Sequence, residues 1–138
     1  MTGGEGRCLC GNVTFTFSGT PRWQGHCHCQ TCRRTTSSPL TSFLGVKDGS
    51  WEWTGTRPSL FESSPGVRRY FCGRCGSPMA YASDRFAGEI HFYAATLERP
   101  EDYAPTFHVF ASEAVPWFRI NDELPRFSAT AGTPKIDP

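Results

Sequence analysis

Apolar residues along this chain recur mostly at every second position and in short runs. Val13, Phe15 and Phe17 alternate with Thr14 and Thr16, the pattern of a strand with one buried face, directly after Cys10 and Gly11. Similar runs lie at Leu40 to Val46, Trp51 to Trp53, Val67 to Phe71, Met79 to Ala82, Ile90 to Ala95 and Thr106 to Phe110, nearly all set off by Gly, Pro or Ser. Helical periodicity is weak throughout, and only Gln30 to Thr36 and the Arg99 to Tyr103 region have room for a turn or two of helix. The pattern predicts a mainly β protein whose strands pair across long sequence distances. Ser128 to Pro138 is rich in Ala, Thr, Gly and Pro without an apolar period, so a loosely ordered tail is expected after a single domain spanning 1–127.

Composition is compatible with one modest core, since 38% of the 138 residues are apolar and 14% aromatic. No run approaches the roughly 18 to 20 apolar residues that span a bilayer, and Met1 to Gly11 lacks the basic and apolar regions of a signal peptide. A cytoplasmic protein without a membrane partner is expected. Seven cysteines are an odd number, and in a reducing compartment their short spacings point to metal ligation rather than disulfides. The formal charge is +1; seven thiolates and two zinc ions would bring it to −2, which does not favour a nucleic-acid partner.

The cysteines fall into groups. Cys8 and Cys10 stand at i and i+2, on one face of an extended chain, where both sulfurs reach one ion. Cys72-Gly73-Arg74-Cys75-Gly76 has the spacing of a zinc knuckle, whose tight turn aims two sulfurs and nearby backbone N–H groups inward. Together these pairs predict a closed four-cysteine tetrahedron. Such structural zinc contributes about 10 to 16 kcal/mol, comparable with the whole stability of a small domain, so no stable fold is expected without it. A redox role for Cys72 and Cys75 is the alternative, but no βαβ pattern surrounds them and it would leave Cys8 and Cys10 unexplained.

Cys27, Cys29 and Cys32 follow a Cys-x-Cys-x-x-Cys spacing within His26-Cys27-His28-Cys29-Gln30-Thr31-Cys32. Three protein ligands with an exchangeable fourth position are the arrangement of a catalytic zinc, at which an incoming thiol or water loses its proton. In the competing reading, His26, His28, His91 or His108 fills the fourth position and the second zinc is structural too. His26, His28 and Thr31 are candidate donors near the three thiolates. His108 is the candidate catalytic proton carrier, set against the commoner role of a histidine satisfied inside an apolar strand. Arg33, Arg34, Arg68 and Arg69 are candidates for binding ligand carboxylates, with a solvated surface favoured for at least two of them. Trp117 is a candidate pocket residue, and Trp51 and Trp53 are read as core.

With its cysteine groups in this order, the chain resembles the glutathione-dependent formaldehyde-activating enzymes, a family that includes the centromere-protein-V-like domains. The resemblance is carried by Gly6-Arg7-Cys8-Leu9-Cys10-Gly11-Asn12-Val13, by Cys27-His28-Cys29-Gln30-Thr31-Cys32-Arg33, and by Ser64-Pro65-Gly66-Val67-Arg68-Arg69-Tyr70-Phe71-Cys72-Gly73-Arg74-Cys75-Gly76. It continues in Pro105-Thr106-Phe107-His108-Val109-Phe110 and Pro116-Trp117-Phe118, covering about Gly6 to Phe127. It implies a β-tent fold of packed antiparallel sheets, a structural zinc on Cys8, Cys10, Cys72 and Cys75, and a catalytic zinc on Cys27, Cys29 and Cys32. It also implies carbon–sulfur lyase chemistry on a small thiol or thiol adduct, the founding activity joining glutathione and formaldehyde into S-hydroxymethylglutathione. This chain is shorter than the founding enzymes and has little room for extra segments around a glutathione. A non-catalytic zinc-stabilised binding module and a thiol or metal sensor that releases zinc on oxidation are the readings that compete with an enzyme.

Overall fold

Alternating apolar residues do become strands in the computed structural model, which describes residues 1–137. In chain order these are β1 (Gly4–Arg7), β2 (Thr14–Phe17), β3 (Trp23–Cys27), β4 (Thr41–Lys47), β5 (Trp51–Trp53), β6 (Ser59–Ser64), β7 (Val67–Phe71), β8 (Pro78–Ser83), β9 (Glu89–Tyr93) and β10 (His108–Val109). Helix α1 (Gln30–Thr36) matches the expected segment, and Pro100–Asp102 forms a single 3-10 turn where the second was expected. The molecule is mainly β, as predicted, and no helix among the described residues is long and apolar enough to cross a membrane.

Three strands lack a hydrophobic signature. β1 (GEGR) and β3 (WQGHC) are largely polar or glycine, and five of the six residues of β6 are exposed. Their pairing partners, rather than their own side chains, make them strands. Conversely, regular pairing in the Thr106 to Phe110 run is confined to His108 and Val109, and the Ile90 to Ala95 run leaves β structure after Tyr93.

The described residues group into two compact units. The first comprises Met1–Trp23 and Leu44–Tyr103. In it β1, β2 and β5 form an antiparallel sheet, with Phe15 opposite both Gly6 and Trp53. A second sheet follows the order β9, β8, β7, β6, all antiparallel, with Tyr81 opposite both Arg69 and His91. Period-2 alternation sends Phe15 from one sheet and Phe92 from the other into face-to-face contact, 3.9 Å between ring centroids. Trp51 and Trp53 meet Phe92 edge-on, and Leu44, Val46, Met79, Ala80 and Ile90 complete a buried core. Trp51 and Trp53 are half-buried and pack against this core.

The second unit comprises Gln24–Phe43 and the described residues from Ala104 onward. Here β10 pairs in parallel with β3, His108 against His26 and Val109 against Cys27. The backbone of Pro125 and Phe127 bonds to the His108 backbone, which leaves His108 fully buried. The segment expected to be a loose tail is hydrogen-bonded: Phe110 N–H donates to the Ala129 carbonyl, Ser128 N–H to that of Pro134, and Ile136 N–H to that of Arg126. Pro138, the last residue of that expected tail, lies outside the described residues.

Candidate metal centres

In the first unit, two loops far apart in sequence bring together the sulfurs of Cys8, Cys10, Cys72 and Cys75, all within 4.8 Å of one another. Cys8 and Cys10 follow β1, and Cys72 and Cys75 lie in the turn between β7 and β8. The turns are alike: Gly11 N–H donates to the Cys8 carbonyl at 3.1 Å and Gly76 N–H to the Cys72 carbonyl at 2.8 Å, both glycines having φ near +80°. That left-handed conformation is open to glycine at little cost. Backbone N–H groups surround the sulfurs, from Val13 to Cys8 Sγ at 3.3 Å and from Arg74 and Cys75 to Cys72 Sγ at 3.4 Å. Ser77 joins the loops, its Oγ accepting from Leu9 N–H at 3.0 Å and lying 3.1 Å from Cys75 Sγ. The Ser77 hydroxyl first, then the Cys10 and Ser77 backbone, draws Cys75 down to about 5. Separations of 3.6 Å for Cys8 to Cys10 and 3.8 Å for Cys10 to Cys72 match the roughly 3.8 Å between sulfurs on a tetrahedral zinc.

In the second unit Cys27 ends β3, Cys29 is the N-cap of α1 and Cys32 lies in its first turn; their three sulfurs also lie within 4.8 Å of one another. Cys29 Sγ takes the N–H of Cys32 at 3.3 Å and lies 3.3 Å from Thr31 Oγ1, while Glu113 accepts the N–H of Gln30 at 3.0 Å. Hydrogen bonding with Cys27, then Cys32, draws Cys29 well below the usual thiol range, and contacts with Cys29, then Cys32, push Cys27 well above it. Three sulfurs this close do not all ionise without a cation, so the donor set suits a thiophilic metal. Cys27 and Cys32 are buried and Cys29 is half-buried, which gives the group one side nearer solvent.

No histidine nitrogen or carboxylate joins either cysteine group among the described residues. The four histidines are engaged elsewhere. His91 Nε2 is 2.7 Å from Glu89 in the first unit. In the second, His26 Nδ1 is 2.8 Å from Ser42 Oγ, and His28 Nε2 is 2.8 Å from His108 Nδ1. His108 Nε2 donates to Asp122, 2.9 Å to Oδ2. Burial first, then the nearness of His108, lowers both His26 and His28 to about 4, and burial lowers His108 as well. Asp122 is held low despite burial by His108, by the Leu124 N–H and by the charge of Arg126.

Asp122 and Arg126 were not among the candidates from sequence, because they lie in a stretch without apolar period or motif. Glu113, between two alanine-containing turns, was equally silent. Of the four candidate arginines, Arg33 and Arg34 are on α1 with Cys32. Arg33 Nε donates to the His28 carbonyl at 3.4 Å. Arg68 pairs with Asp84, and Arg69 is buried on β7, its Nε donating to Ser63. Trp117 is 72% exposed.

Comparison with known proteins fits this geometry. The family model for glutathione-dependent formaldehyde-activating enzymes matches residues 4–113, which include all seven cysteines. A protein of Schizosaccharomyces pombe named as an uncharacterised lyase is 31% identical over 78 residues, 56% of this chain and 56% of its own, so the match spans about half the length of that relative. A crystal structure of a Rhodobacter sphaeroides protein is similar in fold, with a TM-score of 0.58 at 20% identity, over 71% of this chain and 93% of that one. By the extent of the family match, the chain belongs to the glutathione-dependent formaldehyde-activating enzyme family.

Proposed function

We propose that this protein is a zinc-dependent carbon–sulfur lyase acting on adducts of a glutathione-like thiol and an aldehyde, S-hydroxymethylglutathione being the model substrate. The observation that carries the reading is the group of three cysteine sulfurs within 4.8 Å that no fourth protein ligand completes among the described residues. Family membership and the lyase name of the Schizosaccharomyces pombe relative support it. In this reading Cys8, Cys10, Cys72 and Cys75 hold a structural zinc and Cys27, Cys29 and Cys32 a catalytic one, in a single domain working in the reducing cytoplasm.

When bound at the three cysteines, zinc favours the thiolate form of an incoming thiol near neutral pH. In the synthetic direction the thiol sulfur bonds to the aldehyde carbon, the carbonyl π pair moves to oxygen, and that oxygen takes up a proton to become the adduct hydroxyl. Cleavage reverses each movement: the hydroxyl gives up its proton, the carbonyl reforms and the carbon–sulfur pair returns to sulfur. His108 is the proposed proton-handling residue, and because both its ring nitrogens are occupied, it acts on substrate only through His28. Arg33 and Arg34 share α1 with Cys32 and are the guanidinium groups we assign to the thiol's carboxylates.

The test is zinc content per chain for the wild type and Cys29→Ala, with glutathione then added while X-ray absorption reports the zinc ligands. Two zinc ions, loss of one in the variant, and an additional sulfur ligand on adding glutathione are expected. Two zinc ions with no response to glutathione would favour a binding module or a different substrate. Zinc loss under mild peroxide with no adduct chemistry would favour a sensor.

A further inference from the structure

Asp122 belongs to no strand, helix or motif, yet its carboxylate orders a chain of groups that ends at His28, the residue between Cys27 and Cys29. Its Oδ1 accepts from the Leu124 N–H at 3.2 Å and from Arg126 Nη2 at 3.2 Å. His108 Nε2 lies 2.9 Å from its Oδ2 and 3.2 Å from its Oδ1. A carboxylate only accepts, so the proton of a neutral His108 sits on Nε2, and its Nδ1 is an acceptor. Among the described residues, the group at that Nδ1 is His28 Nε2, 2.8 Å away, which must therefore carry its own proton. The same logic leaves Nδ1 of His28 without a proton, on the residue between Cys27 and Cys29.

We propose that Asp122 is a positioning residue that, through His108, locks His28, the residue between Cys27 and Cys29, in the tautomer protonated at Nε2, leaving its Nδ1 a hydrogen-bond acceptor. The catalytic part of this inference rests on the function proposed above; the tautomer lock stands on geometry alone. Full burial of His108 between β3 and the backbone of residues 125–127 keeps water from competing for its ring nitrogens.

Asp122→Asn makes the lock testable. Its amide oxygen is pinned in place of Oδ1 by the Leu124 N–H and Arg126, so its NH2 group replaces Oδ2, the carboxylate atom nearer to His108 Nε2, and donates to that nitrogen. His108 then carries its proton on Nδ1, donates to His28 Nε2, and forces the His28 proton to Nδ1. Two-bond proton–nitrogen correlation spectra of the zinc-loaded chain, labelled with nitrogen-15 at histidine, read these states directly. In the wild type both His28 and His108 should be protonated at Nε2; in Asp122→Asn both should switch to Nδ1, with zinc content unchanged. In the adduct-cleavage assay kcat should fall about 10- to 100-fold with KM little altered. A wild-type spectrum with His108 protonated at Nδ1, or doubly protonated at neutral pH, overturns the lock without any variant, as does a folded Asp122→Asn in which neither tautomer moves. If the tautomers switch as stated but the wild type shows no adduct chemistry, the lock holds and the functional reading fails.

Discussion

At the residue scale, Glu89 shows how a charge is kept inside the first unit. Its carboxylate accepts from His91 Nε2 at 2.7 Å, Trp23 Nε1 at 2.8 Å and Arg22 Nη1 at 3.3 Å. Burial opposes its ionisation, but hydrogen bonds from His91 and Trp23, the His91 charge and Arg22 outweigh it and hold the group at about 2. A carboxylate lowered in the folded state stabilises fully above its unfolded value near 4.5, and that contribution is lost as pH falls toward 2. Glu89→Gln should cost about 1 to 2 kcal/mol at neutral pH, after allowance for partial solvent screening. In denaturant titrations of both proteins, the stability gap should narrow progressively as pH falls from about 5 toward 2; a gap that stays constant would disprove the assignment. Comparing two proteins with the same metal sites cancels the acid sensitivity of the thiolates.

At the scale of single elements, the cysteine knuckle between β7 and β8 depends on a left-handed turn. A Cβ on Gly76 would meet nothing within 4 Å, so the cost of Gly76→Ala is conformational strain alone. We expect about 1 kcal/mol lost for Ala and less for Asn, which tolerates this region, measured as denaturation midpoints. Equal costs for the two would rule out backbone strain as the cause. Helix α1 has seven residues, too few to persist by itself in water. Its ties are the Cys29 cap, the Glu113 contact at Gln30 and the Thr36 hydroxyl on the Cys32 carbonyl at 2.8 Å. Losing the metal at the three cysteines should therefore raise hydrogen exchange within Gln30–Thr36 in Cys29→Ser, while β7, β8 and β9 keep their protection. Exchange spreading through all these strands would show that the site holds far more than its own helix.

At the scale of the whole molecule, the two cysteine groups should differ in what they support. The four-cysteine group ties the loop after β1 to the turn after β7, across 62 residues of chain between Cys10 and Cys72. The three-cysteine group spans six consecutive positions, 27–32, and crosslinks nothing distant. Cys72→Ser should therefore yield an unfolded or aggregating chain, whereas Cys29→Ser should keep its β signal in circular dichroism and lose one zinc. A strong chelator should take the ion at the three-cysteine group first and unfold the protein only on removing the second. Simultaneous loss of both ions with unfolding would contradict that division.

The cysteine groups were legible because metal ligation needs closely spaced donors in local turns, and Cys27, Cys29 and Cys32 or Cys72 and Cys75 carry that spacing within a few residues. Strands whose side chains alternate between core and solvent, such as β2, were legible for the same local reason. β1, β3 and β6 were not, because polar or exposed residues become strands there through backbone bonds to partners elsewhere in the chain. The C-terminal segment carries no apolar pattern, and the backbone bonds it makes, such as Phe110 N–H to the Ala129 carbonyl and Ile136 N–H to that of Arg126, are not local enough to read from sequence. His108 stood out in the sequence as a titratable group in an apolar run, but nothing local showed that it would meet His28 from 80 residues away and Asp122 from 14. By itself, the sequence determined where metal ions can be held and that the chain is mainly β, since both follow from short-range spacing. Only the tertiary structure decided which histidines touch and which carboxylate sets their protons, because those bonds form when distant segments pack and exclude water.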